Sequence, residues 1–330
     1  MEIFRTLVPV PPSATKLNYR SKIMFLGSCF SEYIGNKLVE AKFSIDNNPF
    51  GIVFNPMSVG IQLDKLMNIV EYKMDNLFYN DGVWCSFDHH SRFSNPDKEA
   101  CLSSINSRLR ESYEYLKSVD RLFLTFGTSY VYYTNGTERV VSNCHKVPAQ
   151  EFVRKKVSIQ EIVLAYNRLI PQLLAFNPKI QVIFTVSPIR HWKDGAHENQ
   201  LSKATLLLAI DEICTMFPNA SYFPSYEIVM DDLRDYRFYA EDMLHPNSLA
   251  INYIWNRFKE CYMEPDTVFL MKEIEKVVQS FKHKPFNPKT EAFQSFARQF
   301  YDKIQYLKGQ FQLSFEEEEH YFKSFLSEQS

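Results

Sequence analysis

Residues 22–30 read KIMFLGSCF, an apolar run followed at once by a small-residue turn. Residues 22–26 have the length and apolar content of a strand that is buried on both faces, as in a parallel sheet. Gly27 and Ser28 then form the turn at its carboxyl end, and a helix follows. Because ligands bind at the carboxyl ends of such strands, the stretch predicts an α/β fold with a hydroxyl group at its binding edge.

The same pattern of strand, small-residue turn and helix recurs along the chain. Arg121–Phe126 and Gln181–Val186 are further apolar runs that end in small residues, and weaker strands are expected over residues 43–46 and 221–226. The segments between them carry apolar residues at helical spacing. This predicts a flavodoxin-like, three-layer α/β/α fold with a five-stranded parallel sheet in the order 2-1-3-4-5.

Two insertions and a tail are expected around this core. Residues 75–96 are irregular and rich in aromatics, and Asn135-Gly136 between two strand-like runs indicates a β-hairpin with a two-residue turn. We expect residues 1–262 to form one α/β domain. Residues 263–330 are expected to form a helical C-terminal extension packed on or next to it.

Composition narrows the class of protein. The chain has 330 residues, is 45% hydrophobic and carries a net charge of -2, which suits a large core and gives no overall basic field for nucleic acid. Its apolar runs are shorter than the roughly 20 residues that cross a bilayer, and the first residues show no signal-peptide pattern. Six scattered cysteines without a Cys-x-x-Cys pair fit reduced thiols. We expect a cytoplasmic protein without membrane insertion, and nothing in the sequence indicates an oligomeric state.

A second polar motif lies far downstream, at Asp242-Met243-Leu244-His245. Asp242 and His245 place a carboxylate and an imidazole on one turn, after the last strand, where the sheet would return them beside Ser28. A serine hydroxyl needs an imidazole within reach to act as a nucleophile, and a carboxylate orients that imidazole. The pattern predicts a catalytic triad of Ser28, His245 and Asp242.

Each triad residue also has a structural alternative. Serine directly before a helix is a common N-cap, which taken alone is the more frequent role for Ser28. His245 could pack or cap, Asp242 could cap the following helix, and Glu241 and Asp235 are competing carboxylates. Cys29 at a helix start is a competing nucleophile, because a thiol there can have a lowered pKa. The combination of the two motifs, however, favours catalysis.

A metal site is not expected. The sequence has no ligand spacing typical of zinc, so neither a metal nor another cofactor is predicted. Different loops could still bring together several histidine and cysteine side chains, namely His89, His90, Cys144, His145, His191 and His197.

Several of these segments together resemble the GSCFA family. Gly27-Ser28-Cys29-Phe30 matches the motif that names the family, except that Ser31 stands in place of its alanine. The resemblance spans roughly residues 20–255. Further matching segments are Asn48-Pro49-Phe50-Gly51 with Asn55-Pro56, His90-Ser91-Arg92-Phe93, Asn143-Cys144-His145-Lys146 with Pro148, Ser187-Pro188-Ile189-Arg190-His191, and residues 242–246.

The resemblance implies an SGNH-hydrolase-like domain, a group in which a serine and an Asp-x-x-His supply the triad. In that group a glycine and an asparagine usually complete the oxyanion hole, with the N–H of the serine. The implied donors here are the N–H groups of Ser28 and Gly51. Gly127-Thr128-Ser129 stands where Gly-x-Asn is expected, which leaves Ser129, Asn48 or Asn55 as the third donor.

Polar residues on the neighbouring turns are candidates for substrate binding. Arg190 would suit a carboxylate or phosphate group, although a structural ion pair is an equal alternative. The first insertion is expected to fold over the site or to face solvent. The candidates are Asn48, Asn55, His90, Arg92, His145, Lys146, Arg190 and His191.

The predicted activity is hydrolysis of an acyl ester, with an O-acetylated saccharide as the favoured substrate by analogy. Acyl transfer to a sugar hydroxyl would use the same triad. The missing asparagine also leaves open a carbohydrate- or anion-binding module without activity.

Overall fold

A five-stranded parallel sheet forms the centre of the structure, a computed structural model that describes residues 6–282, 286–311 and 313–326. Residues 1–5, which belong to the segment without a signal-peptide pattern, and residues 327–330 of the expected extension lie outside the described residues. The strands in chain order are β1 (Lys22–Gly27), β2 (Ser44–Asn47), β3 (Phe78–Asn80), β4 (Val83–Cys85), β5 (Arg121–Phe126), β6 (Tyr130–Thr134), β7 (Val140–Val141), β8 (Phe152–Lys156), β9 (Gln181–Val186) and β10 (Ala220–Tyr222).

The sheet has the order β2-β1-β5-β9-β10, and all neighbours are parallel. The short strands β3, β4 and β6–β8 belong to other sheets, so the parallel strands alone run 2-1-3-4-5, and the predicted fold class is confirmed. The fifth strand is shorter than residues 221–226 because Pro224, which has no N–H to donate to a ladder, precedes a helical turn.

Helices cover both faces of this sheet. Met24 and Leu26 of β1 pack in one apolar cluster, and the alternating Ile23 and Phe25 pack in another on the opposite face. Because both faces are covered, β1, β5 and β9 are buried at nearly every position, and their central residues are apolar. The helices are α1 (Cys29–Glu40), α2 (Pro56–Asn68), α3 (Lys98–Leu116), α4 (Ile159–Phe176), α5 (Gly195–Met216), the single turn α6 (Ser225–Glu227), α7 (Ser248–Tyr262), α8 (Pro265–Lys282), α9 (Glu291–Phe311) and α10 (Glu316–Leu326).

The two insertions are more regular than the sequence indicated. The first contains the hairpin β3-β4, whose turn residues Asp81 and Gly82 both have positive φ, at 48° and 82°. The predicted hairpin is present as β6-β7, but its loop covers residues 135–138 instead of two residues. The unpredicted strand β8 pairs with the other edge of β6.

The residues after α7 form helices that pack mainly on one another. Ile274, Ile304 and Phe322 from α8, α9 and α10 belong to a separate apolar cluster. The half-buried Lys42, just after α1, pairs with the buried carboxylate of Glu318 at 2.7 Å. The extension is therefore tied to the α1 side of the sheet. In the described ranges no helix has both the length and the apolar character needed to span a membrane.

Two glycines with the same backbone conformation give a matched test of packing. Gly51 and Gly82 have φ of 83° and 82°, but a Cβ on Gly51 would lie 2.2 Å from the Cβ of His90, whereas one on Gly82 meets nothing within 4 Å. We expect Gly82→Ala to lower the free energy of unfolding by about 1 kcal/mol through backbone strain alone. Gly51→Ala should cost about 1–3 kcal/mol more because of the clash. Equal losses in urea unfolding would contradict the packing around Gly51.

Candidate active site

Ser28 follows β1 with its hydroxyl uncommitted. It stands at the N-cap position of α1 with an extended backbone, yet its side chain makes no capping hydrogen bond. The residue is 1% exposed, and its Oγ has no hydrogen-bond partner among the described residues. The capping alternative is therefore not realised. A buried hydroxyl without a partner is unusual enough to ask for a functional explanation.

Asp242 and His245 form a hydrogen-bonded pair on a loop of residues 238–247, here called the dyad loop. The Nδ1 of His245 lies 2.5 Å from Oδ2 of Asp242, and the backbone N–H groups of Leu244 and His245 donate to Oδ1 at 3.0 and 2.9 Å. These backbone hydrogen bonds, together with the imidazole, lower the pKa of Asp242 to about 2. The ionised carboxylate of Asp242 is thus placed to accept from Nδ1–H, the tautomer in which a neutral imidazole has Nε2 as its acceptor.

The dyad loop is held together by its own backbone. Ala240 N–H donates to the carbonyl of His245 at 2.7 Å, and Asn247 N–H donates to the carbonyl of Phe238 at 2.9 Å. The N-cap of α7 is Asn247, so Asp242 does not serve as the helix cap that its sequence position allowed. The side chains of Asp242 and His245 are 48% and 41% exposed.

Electrostatic interactions link the dyad loop to α1 and to the segment after β9. Burial raises the pKa of Tyr33, one turn into α1, and the charges of Cys29 and Asp242 raise it further. Burial also lowers the pKa of His191 to about 4, with contributions from Lys203 and His245. Because Ser28 Oγ has no partner, the predicted Ser28–His245 hydrogen bond is not formed in this structure. Catalytic hydrogen bonds are often long without substrate and tighten when it binds.

Cys29 is a poor nucleophile here. Burial raises the pKa of its thiol to about 11, although backbone N–H groups at the start of α1 act in the opposite direction. The thiolate is the reactive form of cysteine, and it is scarce at neutral pH when the pKa is this high. The raised pKa thus argues against Cys29 as a thiolate nucleophile.

The oxyanion donors expected from the sequence are already occupied. The N–H of Ser28 donates to the carbonyl of Thr125 at 3.2 Å, and the N–H of Gly51 donates to that of Asn48 at 2.7 Å. Both the N–H and the hydroxyl of Ser129 bond to Ser202, at 2.8 and 3.1 Å. In this structure each of these three donors thus already has an acceptor: Ser28 in β5, Gly51 in its own turn and Ser129 in α5.

Asn48 and Asn55 differ in whether the N–H groups of their side-chain amides already have an acceptor. Asn55 caps α2: its Oδ1 accepts from Ser58 N–H at 2.8 Å and its Nδ2 donates to Ser58 Oγ at 3.0 Å, so it is not a free donor. Asn48 is fully buried, and its Oδ1 accepts from Gly27 N–H at 2.9 Å. Its Nδ2 has no partner among the described residues. One amide donor beside the Ser28 turn is thus uncommitted.

The first insertion does reach the sheet edge. His90 donates its backbone N–H to the carbonyl of Phe50 at 2.9 Å, and its Nδ1 accepts from Arg92 N–H at 3.2 Å. Arg92 pairs with Glu32 at 3.1 Å and donates to the carbonyl of Asn48. Arg92 therefore ties the insertion to α1 and to the turn that carries Asn48.

His145 and Lys146 are not brought together with the triad residues by any contact in the described parts of the chain. His145 is buried, and its Nε2 lies 2.9 Å from the carbonyl of Ser86. Burial lowers its pKa, so the neutral ring serves the packing of the insertion. Lys146 is exposed beside it. Their predicted role in substrate binding has no support from these contacts.

Arg190 and His191 follow β9. The ring of His191 packs edge-on against Phe54 at 5.5 Å, and its Nε2 lies 3.0 Å from the position that a Cβ on Gly127 would take. The imidazole thus covers the turn after β5. Arg190 points elsewhere, since its Nη2 donates to the sulfur of Met230 at 3.1 Å.

Lys203 of α5 lies at the carboxyl edge of the sheet and is not among the site residues predicted from the sequence. The residue is 1% exposed, and its Nζ donates to the carbonyls of Gly127 at 2.7 Å and Ser187 at 2.6 Å. These two residues directly follow β5 and β9. Burial lowers its pKa to about 7. The sequence does indicate the burial of Lys203, because helical spacing places it with Asn199 and Leu206 on the buried face of α5.

The described residues contain no cluster of metal ligands. In the parts of the chain that the structure describes, no three histidine, cysteine or acidic side chains lie close enough together to hold a metal ion.

Fold and site together define a class: α/β proteins with a parallel sheet covered on both faces, a buried serine after the first strand and an Asp-His pair after the last. The GSCFA family model matches residues 22–258, and the model of the GSCFA domain protein C-terminal domain matches residues 274–328. The chain belongs to the GSCFA family. No curated protein matches it.

Similar solved structures include several esterases. An acetyl esterase mutant with an acetate ion has 11% identity and a TM-score of 0.37, and covers 77% of this chain and 99% of its own. A carbohydrate esterase family 3 protein from Talaromyces cellulolyticus has 13% identity and a TM-score of 0.31, with coverages of 77% and 99%. A carbohydrate esterase family 2 enzyme from Corynascus thermopiles has 12% identity and a TM-score of 0.38, and covers 82% of this chain and 69% of its own. At these TM-scores the likenesses carry no functional argument.

Lys203 gives the protein a specific pH dependence of stability. Its folded pKa of about 7 lies below the ordinary lysine value of about 10.4, so the unfolded chain binds more protons between these pH values. The contribution of Lys203 to the free energy of unfolding should therefore rise with pH across this window, by on the order of a few kcal/mol.

The measurement compares wild type with Lys203→Met by urea unfolding at about pH 6 and about pH 9.5. The variant leaves two carbonyls without a donor at both pH values, so it is less stable throughout, and its deficit should grow at the higher pH. A deficit that does not change with pH would show that the amine is not held at a lowered pKa.

Proposed function

We propose that this protein is a serine esterase that cleaves an acyl ester, with an O-acetylated saccharide as substrate, through Ser28, His245 and Asp242. One observation carries the proposal: Asp242 holds the imidazole of His245 through Nδ1, and the Oγ of Ser28 is buried with no hydrogen-bond partner among the described residues. These are the nucleophile, base and orienting carboxylate that acyl transfer needs, and the proposal requires Ser28 Oγ and His245 Nε2 to come within hydrogen-bond distance when substrate binds.

The reaction then proceeds in two halves. Ser28 Oγ attacks the carbonyl carbon of the ester as His245 Nε2 takes its proton, and Asp242 stabilises the imidazolium that forms. His245 then donates the proton to the sugar oxygen, and the sugar departs as the alcohol. The acyl group remains bonded to Ser28 as an ester. Water, activated by His245, then attacks this second ester and releases the carboxylic acid.

Asn48 is the proposed oxyanion donor. Its Nδ2 is buried without a partner, and its Oδ1 is anchored to Gly27, the residue before the nucleophile. A donor fixed in this way needs no reorientation when charge develops on the carbonyl oxygen, and one such donor is worth about 2.7–4 kcal/mol. Of the three candidates for the third donor, Ser129, Asn48 and Asn55, Asn48 is the one whose donor group has no acceptor among the described residues.

The burial of Ser28 also favours a second candidate, O-acyl transfer with the same triad. At 1% exposure the hydroxyl can be reached only when the side chains over it part, and a site that excludes water protects an acyl intermediate from hydrolysis. Product analysis separates the two: free acid indicates hydrolysis, and an acylated second sugar indicates transfer.

The choice of nucleophile is tested with adjacent variants. Ser28→Ala should lower turnover of aryl acetates and acetylated glycans by at least about 10³-fold, because the attacking oxygen is gone. Cys29→Ala serves as the control and should stay within about tenfold of wild type, since its thiol is not ionised. Turnover that survives Ser28→Ala would assign the chemistry to another group. A folded protein that binds saccharide without turnover would instead be a binding module.

The role of Asp242 is tested by removing its charge alone. Asp242→Asn should lower kcat by about 10²–10⁴-fold, because an amide can neither fix the tautomer of His245 nor stabilise its imidazolium. Glu241→Gln is the matched control, because Glu241 is the exposed neighbouring carboxylate on the same loop. Steady-state kinetics on an aryl acetate give the result, and equal effects of the two substitutions would refute the assignment.

A further inference from the structure

A cavity of about 460 Å³ opens beside Asp242. Its wall combines one cationic side chain that has no acidic partner with three aromatic rings. The lining residues that matter here are Arg190, Trp192, Met230, Tyr236, Tyr239 and Asp242. Asp242 is the member of the proposed triad that lines this cavity, so a molecule bound here would lie beside the carboxylate that orients His245.

Arg190 is an uncompensated cation in this wall. Its Nε is buried without a hydrogen-bond partner, and its Nη2 contacts only the weak acceptor sulfur of Met230, at 3.1 Å. Among the described residues no carboxylate lies within 4 Å of its guanidinium. A partly buried charge without a partner is costly, and an anion at the guanidinium would relieve that cost.

The other charges of the lining already have partners. Asp242 pairs with His245 at 2.5 Å, and Asp235 with Arg237 at 3.7 Å. Arg234 pairs with Asp231 at 2.6 Å. Among the described residues, Arg190 is therefore the charged group in this wall that has no partner of opposite charge, and it is the group left to meet a charged ligand.

The aromatic side chains suit a sugar ring beside such an anion. Tyr236 is 74% exposed and Trp192 is 48% exposed, while the rings of Tyr236 and Tyr239 lie 5.9 Å apart. Large rings with a polar group at the edge offer an apolar face for a ring of similar size and a hydrogen-bonding group at its rim. The cavity thus combines a flat apolar contact with one cationic contact.

We infer that this cavity binds the saccharide part of the substrate and that the saccharide is anionic, with a carboxylate or phosphate group held by the guanidinium of Arg190. The planar guanidinium fork matches two oxygens of either group. This inference deepens the proposed esterase function and rests on it, because it names the charge of the substrate on which that reaction acts.

The first test measures binding and needs no turnover. We would titrate the full wild-type chain with a galacturonate trisaccharide, with its neutral methyl ester and with galactose 6-phosphate, using calorimetry. An anionic ligand should bind at least about tenfold more tightly than the neutral one, as expected for a charge-assisted hydrogen bond. The galacturonate and phosphate arms show which anion the site takes. Equal affinity for the neutral and anionic ligands would overturn the inference on the wild-type chain alone.

The second test changes the residue. Arg190→Gln should abolish the preference for the anion, and Arg190→Lys should keep part of it, because lysine retains the charge and loses the fork. Arg168→Gln, the same change on the exposed side of α4, is the control. A preference that survives in folded Arg190→Gln would overturn the assignment.

The two proposals fail separately. Arg190-dependent binding without turnover of any acetylated saccharide would refute the esterase and keep the anion site. Turnover with no Arg190-dependent preference would keep the esterase and refute the anion site.

Discussion

The close approach of three strand ends at Gly27 is the constraint on which the site depends. A Cβ at this position would lie 2.2 Å from the carbonyl oxygen of Thr125, so only glycine lets β1 end against β5 in this way. On the other side of β1, the Oδ1 of Asn48, which follows β2, accepts a hydrogen bond from the N–H of Gly27. These contacts fix the backbone that leads into Ser28, and they place the free amide of Asn48 beside it. The proposed nucleophile and oxyanion donor are therefore held by the same packing that closes the sheet.

The sequence was informative wherever a signal was local. The apolar runs of β1, β5 and β9 are readable because a strand covered on both faces is apolar at successive positions. The Asp242–His245 pairing follows from a spacing of three residues within one loop. The hairpin β3-β4 was also readable, since Asp81-Gly82 is a strong turn signal. The aromatic residues around this turn do not alternate with polar ones as in a half-buried strand, so their pattern indicates irregular structure.

The rest of the site depended on contacts between distant segments. Whether an N–H or amide is free depends on what packs against it, so the commitments of Gly51, Ser129 and Asn55 were invisible in sequence. Lys203 reads as one polar residue on an apolar helix face until Gly127 and Ser187 appear as its acceptors. A neutral lysine amine has two N–H groups for these two carbonyls, which fits the lowered pKa. Such matching depends on three-dimensional proximity that local spacing does not encode.

The self-contained bonding of the dyad loop separates two demands that an enzyme usually has to reconcile. The contacts of Asp242 with His245 and Leu244, and those of Ala240 with His245, all lie within residues 238–247. The hydrogen bonds that aim the imidazole of His245 are therefore all internal to one segment. In the proposed mechanism, alignment of the proton acceptor depends on this segment alone, while entry of a bulky reactant to the enclosed Ser28 hydroxyl depends on other residues.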